Sequence, residues 1–108
     1  MSVELQRAIQ EDLAALREMT ERMREDGIEA AKAEATYQAA KAKRVVELSQ
    51  VCSAAQVGMR IKGDPMVNSY LMERECARYI WEADREAINT LKIAIRMAEN
   101  QLQREWQG

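Results

Sequence analysis

The stretch Glu34–Leu48, EATYQAAKAKRVVEL, decides the fold. It is rich in alanine, and a helical repeat of about 100° per residue places Tyr37, Lys41, Val45 and Leu48 on one stripe. Alanine and long unbranched side chains favour helix. The stretch therefore predicts a helix whose apolar stripe, carrying one aromatic ring and one lysine, is buried against a partner helix.

The composition of the whole chain indicates an all-α fold. Among 108 residues Phe is absent, Pro occurs once and Gly occurs four times, whereas the helix formers Ala, Glu, Arg, Gln and Met are abundant. The length fits one domain over residues 1–108. No apolar run approaches the ~18 residues of a membrane span, and no charged-then-apolar leader opens the chain. We therefore expect a cytoplasmic protein without a membrane partner.

One long first helix is predicted over about residues 3–57. The apolar residues upstream of the deciding stretch continue its stripe in phase: Leu5, Ile9, Leu16, Met19 and Met23. Asp26-Gly27 is a turn signal by local chemistry, but a loop there has no reason to preserve that phase. A break at Gly27, which would give a three-helix bundle, stays open as the alternative.

A turn is predicted over residues 58–65, followed by a second helix over about 66–106. Gly58 or Gly63 can end a helix, and Asp64 before Pro65 is typical of an N-cap before a first helical residue. The stripe of the second helix comprises Met66, Tyr70, Ala77, Asp84, Ile88, Leu91, Ile95, Leu102 and Trp106. The fold class is thus a long antiparallel helical hairpin of coiled-coil type.

Folding the two stripes about this turn pairs positions whose numbers add to about 125. Tyr37 then faces Ile88, and Lys41 faces Asp84, each at the centre of its own apolar stripe. We interpret Lys41 and Asp84 as a structural polar pair that fixes the register of the helices. The alternative interpretation is a perturbed pair at a functional site.

The sequence argues against catalysis. It contains no histidine, which removes the commonest general base and the commonest metal ligand. Cys52 and Cys76 match no metal-binding or redox spacing. We expect a protein that is not an enzyme and has no catalytic residue, metal or cofactor. The distant alternative is cofactor-free hydrolysis by Lys41 and Asp84.

The predicted helices differ in length, so residues 1–18 should extend beyond the end of the second helix. An apolar stripe left in water is typical of an interface. We therefore expect a homodimer with a four-helix core, or a foreign protein partner, contacted through Leu5, Ile9, Leu16, Met19 and Trp106. The alternative is an N-terminus that frays or folds back.

The half of the chain nearest the turn is basic. Residues 35–80 hold seven Lys or Arg and four Asp or Glu, a balance of +3, which leaves −5 for the rest of a chain of net charge −2. Such a basic end can contact the phosphates of a nucleic acid. The candidates are Lys41, Lys43, Arg44, Arg60 and Lys62. The alternative is an ordinary solvated helix face.

The residues Tyr37-Gln38-Ala39-Ala40-Lys41-Ala42 match an aromatic-x-x-A-K-A element, and spaced basic residues follow on the second helix. In these features, over about residues 30–106, the chain resembles small helical-hairpin accessory proteins of tailed bacteriophages and prophages. The resemblance implies a phage accessory protein of the host cytoplasm, and it carries over no catalytic or binding residue. Our leading hypothesis is a non-enzymatic protein that self-associates and binds another macromolecule. The alternative is a nucleic-acid-binding accessory protein for phage DNA replication or recombination.

Overall fold

The described part of the chain folds into three helices. The computed structural model describes residues 2–107, which contain α1 (Ser2–Ser49), α2 (Ala54–Lys62) and α3 (Pro65–Gln107) and no strand. The predicted all-α class and helical hairpin are confirmed, with α1 and α3 as the two long arms. Because α1 runs through Gly27 without a break, the continuity of apolar phase outweighs the local turn signal there.

The two arms contribute to two compact units. Asp26–Ile80 forms the first, which contains the connection between the arms and is called the turn unit. Residues 2–25 and 81–107 form the second, called the terminal unit. Each unit therefore contains one part of α1 and one part of α3, and the turn unit contains α2 as well.

The predicted end of the first helix near residue 57 is wrong. α1 ends at Ser49, where the N–H groups of Val51 and Cys52 both donate to the Leu48 carbonyl at 3.1 and 2.9 Å. Ser53 then caps α2: the Gln56 N–H donates to Ser53 Oγ at 3.4 Å, and the Ser53 N–H donates to Gln56 Oε1 at 3.2 Å. This reciprocal capping box starts a new helix. The predicted turn over residues 58–65 is therefore largely helical, and Gly58 lies inside α2.

The start of α3 agrees with the sequence. The Val67 N–H donates to Asp64 Oδ1 at 3.0 Å, and the Asn68 N–H donates to the Asp64 carbonyl at 3.0 Å. Pro65 is the first helical residue, a position at which its missing N–H leaves no hydrogen bond unmade. Asp64 thus acts as the predicted N-cap.

The buried core of the turn unit combines all three helices. Its members are Tyr37, Leu48, Val57, Ile61 and Val67. Val67 is 3 % exposed, whereas Met66, which the sequence placed on the buried stripe, is 68 % exposed. The prediction for Met66 is wrong because the start of α3 packs against α2 as well as α1, and this packing moves the buried position along by one residue.

The predicted register is wrong in the turn unit. The Arg74 guanidinium lies 4.7 Å from the centroid of the Tyr37 ring, and its Nη1 lies 3.2 Å from Glu34 Oε2. The residue predicted to face Tyr37, Ile88, comes about four helical turns later on α3. The error follows from the missed end of α1, because residues 50–57, which were assigned to the first helix, lie in the connection and in the start of α2 instead.

The terminal unit has a different kind of core. Its buried residues, Asp84, Ile88 and Ile95, all belong to α3. The α1 stripe is half-buried at Leu5, Ile9, Leu16, Met19 and Met23. Since residues 2–25 pack with residues 81–107 in this unit, the expectation that residues 2–18 extend beyond the second helix is wrong.

Candidate docking surfaces

The interface residues predicted from the sequence have unequal exposure. Leu5, Ile9, Leu16 and Met19 are half-buried, whereas Trp106 is 73 % exposed. Because residues 2–25 pack with residues 81–107, the overhang that motivated an interface at the first four residues is not observed. Their part in an interface stays a prediction, and Trp106 is the member of the set with the most surface to offer a partner.

Lys41 and Asp84 belong to different units, and their predicted contact stays a prediction. Asp84 is buried at 7 % exposure. Lys41 is half-buried, with its ammonium 5.9 Å from the centroid of the Tyr37 ring. The register that placed Lys41 opposite Asp84 does not hold in the turn unit, so it no longer supports a contact between these two residues.

Among the five predicted phosphate contacts, Arg44 has a structural role. Its Nε donates to Asp64 Oδ2 at 2.7 Å and its Nη1 donates to Glu47 Oε2 at 3.0 Å. The hydrogen bond from the Val67 N–H, and then that from the Arg44 guanidinium, hold the pKa of Asp64 below its ordinary value. Arg44 therefore fastens α1 to the start of α3, and two of its five N–H groups are already engaged by carboxylates.

The other basic candidates are more accessible. Lys43, Arg60 and Lys62 are exposed, and within residues 2–107 none of the three forms an ion pair. Arg60 and Lys62 lie in the last turn of α2, where positive charge favourably meets the helix dipole. That ordinary structural role accounts for both residues without a phosphate.

A second clamp, at Arg74, was missed by the sequence reasoning. Besides Tyr37 and Glu34, its guanidinium contacts Glu75 Oε1 at 2.6 Å. A hydrogen bond from the Gln38 amide, and then the nearby Arg74 charge, lower the pKa of Glu34 against the opposing effect of burial. The signal available in the sequence was the residue types themselves. α3 carries an arginine in its first half, and α1 carries an aromatic residue and a glutamate that an arginine can contact.

An open groove of about 800 Å³ lies on the turn unit, lined by residues of α1 and of the start of α3. Ala39, Ala40, Met66 and Val67 give it an apolar lining, and Lys43 supplies a cation. Its carboxylates, Glu47 and Asp64, are engaged by Arg44. The groove therefore offers shape and apolar surface rather than a general acid or base.

Both arms of the turn unit also carry an apolar face directed largely away from the core. The outer α1 face consists of Ile28, Ala35, Ala39, Ala42 and Val46, all exposed. The outer α3 face consists of Met72, Cys76, Tyr79 and Ile80, also exposed. The spacing of three, four or seven residues within each set was visible in the sequence, but the prediction placed only one apolar stripe on each helix.

Exposed large apolar side chains outnumber buried apolar side chains among the described residues. Within the part of the chain that the structure describes, thirteen large apolar side chains are exposed and seven apolar side chains are buried. Single exposed apolar residues need no explanation, but sets aligned along a helix mark interaction surfaces. The outer faces are therefore the strongest candidate functional surfaces.

Among the described residues no group of three or more His, Cys, Asp or Glu side chains is placed to hold a metal ion. No helix among them combines the length and the hydropathy needed to cross a membrane. The candidate surfaces of residues 2–107 are therefore the groove, the exposed cations and the outer faces.

Comparisons with known proteins give no further assignment. No family model, no curated protein and no solved structure matches this sequence. The resemblance to phage and prophage hairpin proteins therefore stays a prediction that depends on the short motifs quoted above.

Proposed function

We propose that the protein is a non-enzymatic helical protein that acts by binding other macromolecules, beginning with copies of itself, through the outer apolar faces of its helices. A phage or prophage accessory protein of the host cytoplasm is the setting that the resemblance implies. The observation that carries the proposal is the exposure of Val46 (61 %), Met72 (66 %) and Tyr79 (71 %) on helix faces that the hairpin does not cover.

The energy available from these faces supports association. Burying one large apolar side chain stabilises a complex by roughly 1.5–3 kcal/mol. Several such side chains aligned on one face can offset the cost of bringing two molecules together, which is about 4–15 kcal/mol. Tyrosine and methionine are also enriched in the cores of protein interfaces. The outer faces therefore have the composition of a docking surface.

Sedimentation velocity over a series of protein concentrations tests the proposal. We expect a mass above that of the 12.4 kDa monomer, rising with concentration. The double variant Met72→Glu/Tyr79→Glu should sediment as a monomer with unchanged helical circular dichroism. A native protein that stays monomeric at every concentration would remove self-association and leave only a foreign partner.

A nucleic-acid-binding role is the second candidate, and the exposed Lys43, Arg60 and Lys62 favour it. Short single- and double-stranded DNA at low and moderate salt would test it. Binding through phosphates should weaken steeply with salt, with a slope of about −0.9 for each duplex phosphate neutralised. The triple variant Lys43→Glu/Arg60→Glu/Lys62→Glu should then lose binding. Equal, salt-insensitive binding by native and variant protein would exclude these three residues as the phosphate contacts.

A further inference from the structure

We propose that the outer α1 face of one copy binds the outer α3 face of a second copy, so that each copy carries two different, complementary halves of one interface. The inference rests on the proposed self-association and specifies its geometry. The two-fold four-helix dimer expected from the sequence was motivated by residues that are half-buried in the terminal unit. The outer faces of the turn unit provide a different pair of surfaces.

The two outer faces differ in the size of their side chains. Alanines occupy the centre of the outer α1 face, at Ala35, Ala39 and Ala42, and Ile28 and Val46 lie at its two ends. It is therefore nearly flat between two larger side chains. The outer α3 face presents Met72, Tyr79 and Ile80, which are 55–71 % exposed and project from the helix. Helices pack closely when small residues of one meet large residues of the other, so these two faces fit each other better than either fits itself.

The margins of the two outer faces carry opposite charges. Lys43 lies beside the outer α1 face, one residue after Ala42, and Glu73 lies beside the outer α3 face, one residue after Met72. Both are exposed, and neither forms an ion pair within residues 2–107. Pairing α1 with α3 brings opposite charges to the margin of the interface. Pairing α1 with α1, or α3 with α3, brings like charges together, which disfavours the wrong pairing.

An interface between two different faces has a consequence for assembly. A two-fold dimer uses the same surface on both copies, whereas pairing unlike faces leaves one free half at each end of the complex. Further copies can then add until the assembly closes into a ring or continues as an open chain. The mass of the native protein should therefore keep rising with concentration past that of a dimer.

Complementation between two blocked variants tests this pairing. Ala39→Glu/Val46→Glu disables the outer α1 face, and Met72→Glu/Tyr79→Glu disables the outer α3 face. We expect each variant alone to be a monomer, and an equal mixture to form a one-to-one complex through the two intact faces. Asn89→Glu/Gln103→Glu adds the same charge at exposed positions of α3 outside both faces, and it should associate like the native protein.

The outcomes separate the two proposals. If native protein associates but the mixture stays monomeric, or if either blocked variant still forms dimers alone, the α1-to-α3 pairing is wrong and self-association stands. If native protein is monomeric at every concentration, the α1-to-α3 pairing fails together with self-association, and the proposed function is reduced to binding a foreign partner. Helical circular dichroism and melting temperature of each variant establish that a lost complex reflects a lost face and an intact fold.

Charge reversal tests whether Lys43 and Glu73 meet at the margin of the interface. Lys43→Glu and Glu73→Lys should each weaken association by about two- to five-fold, the range of an exposed ion pair. The double variant Lys43→Glu/Glu73→Lys should regain the native association constant at low salt. A double variant that is weaker than both single variants would show that Lys43 and Glu73 do not meet across the interface, and it would overturn the proposed charge contact.

Discussion

The turn unit and the terminal unit use the same two arms but bury them differently. In the turn unit five apolar residues from three helices are buried, and the Arg44–Asp64 and Glu34–Arg74 pairs link α1 to α3. In the terminal unit the buried residues lie on α3 alone, and the α1 stripe is half-buried. Two helices leave their shared seam open to water on both sides. A third helix, even the nine residues of α2, closes one of those sides.

The largest expected difference concerns core truncation. Leu48→Ala removes a side chain that is 3 % exposed and should lower the free energy of unfolding by about 2–5 kcal/mol, because a cavity remains among α1, α2 and α3. Leu16→Ala makes the same change at a half-buried position of the terminal unit and should cost about half as much or less. Urea denaturation measures both. Equal losses would show that the two units are packed alike.

The capping box of α2 should have the next largest effect. Ser53→Ala removes the side-chain acceptor of the Gln56 N–H and should destabilise the protein by about 0.5–2 kcal/mol. Ser49→Ala is the matched control, because Ser49 Oγ only donates to the Val45 carbonyl within α1. Thermal melting followed by circular dichroism compares the two. If Ser53→Ala is no worse than Ser49→Ala, α2 contributes little to closing the turn unit.

Acid should weaken the turn unit through Asp64. Its pKa in the folded protein lies below the ordinary value of 3.8, chiefly because the Val67 N–H and the Arg44 guanidinium bond to the carboxylate. The stabilisation is therefore complete above pH 3.8 and is lost as pH falls through the folded pKa. Asp64→Asn should lower the melting temperature at pH 7 by a few degrees. The melting temperature of this variant should also decrease less in acid than that of the native protein. Parallel pH profiles for native protein and variant would contradict the assigned clamp.

The smallest expected effect is a gain in stability. Gly58 lies inside α2, and a Cβ built there meets no atom within 4 Å. Gly58→Ala should therefore raise the free energy of unfolding by about 0.4–1 kcal/mol, since alanine loses less backbone entropy in a helix. Gly63→Ala also has an open Cβ position but lies at the end of α2, and it should change stability less. A loss of stability in Gly58→Ala would indicate packing against α2 at that position.

The sequence predicted the arms of this fold better than their connection. Composition and phase predicted the class and the continuity of α1 through Gly27, and local chemistry predicted the start of α3 at Asp64-Pro65. The end of α1 was missed because no glycine or proline marks it and because Cys52 stays in phase with the stripe. The Ser53-x-x-Gln56 pattern was the physical signal. Missing it displaced the register by about four turns, since side-chain phase alone permits any whole number of turns.

The candidate surfaces were harder to predict. Periodicity identified one buried stripe per helix. A second apolar stripe on the same helix is equally compatible with the helical conformation, so the sequence does not show whether it is exposed. Its exposure depends on the tertiary arrangement. Val46, Met72 and Tyr79 are exposed because α2 packs against the core side of α1 and α3 and leaves their outer sides uncovered. Arg44 and Arg74 show the opposite case, in which charges expected at the surface are used to join α1 to α3.

Native-state amide hydrogen exchange at low protein concentration tests most directly the claim that the turn unit holds the fold together. The amides of the α1 and α3 segments that flank Tyr37, Leu48 and Val67 should exchange slowest, through opening of nearly the whole molecule. Those of residues 5–20 and 95–105 should exchange faster, through local separation of the arms. Protection in the terminal unit equal to or greater than that in the turn unit would contradict the account.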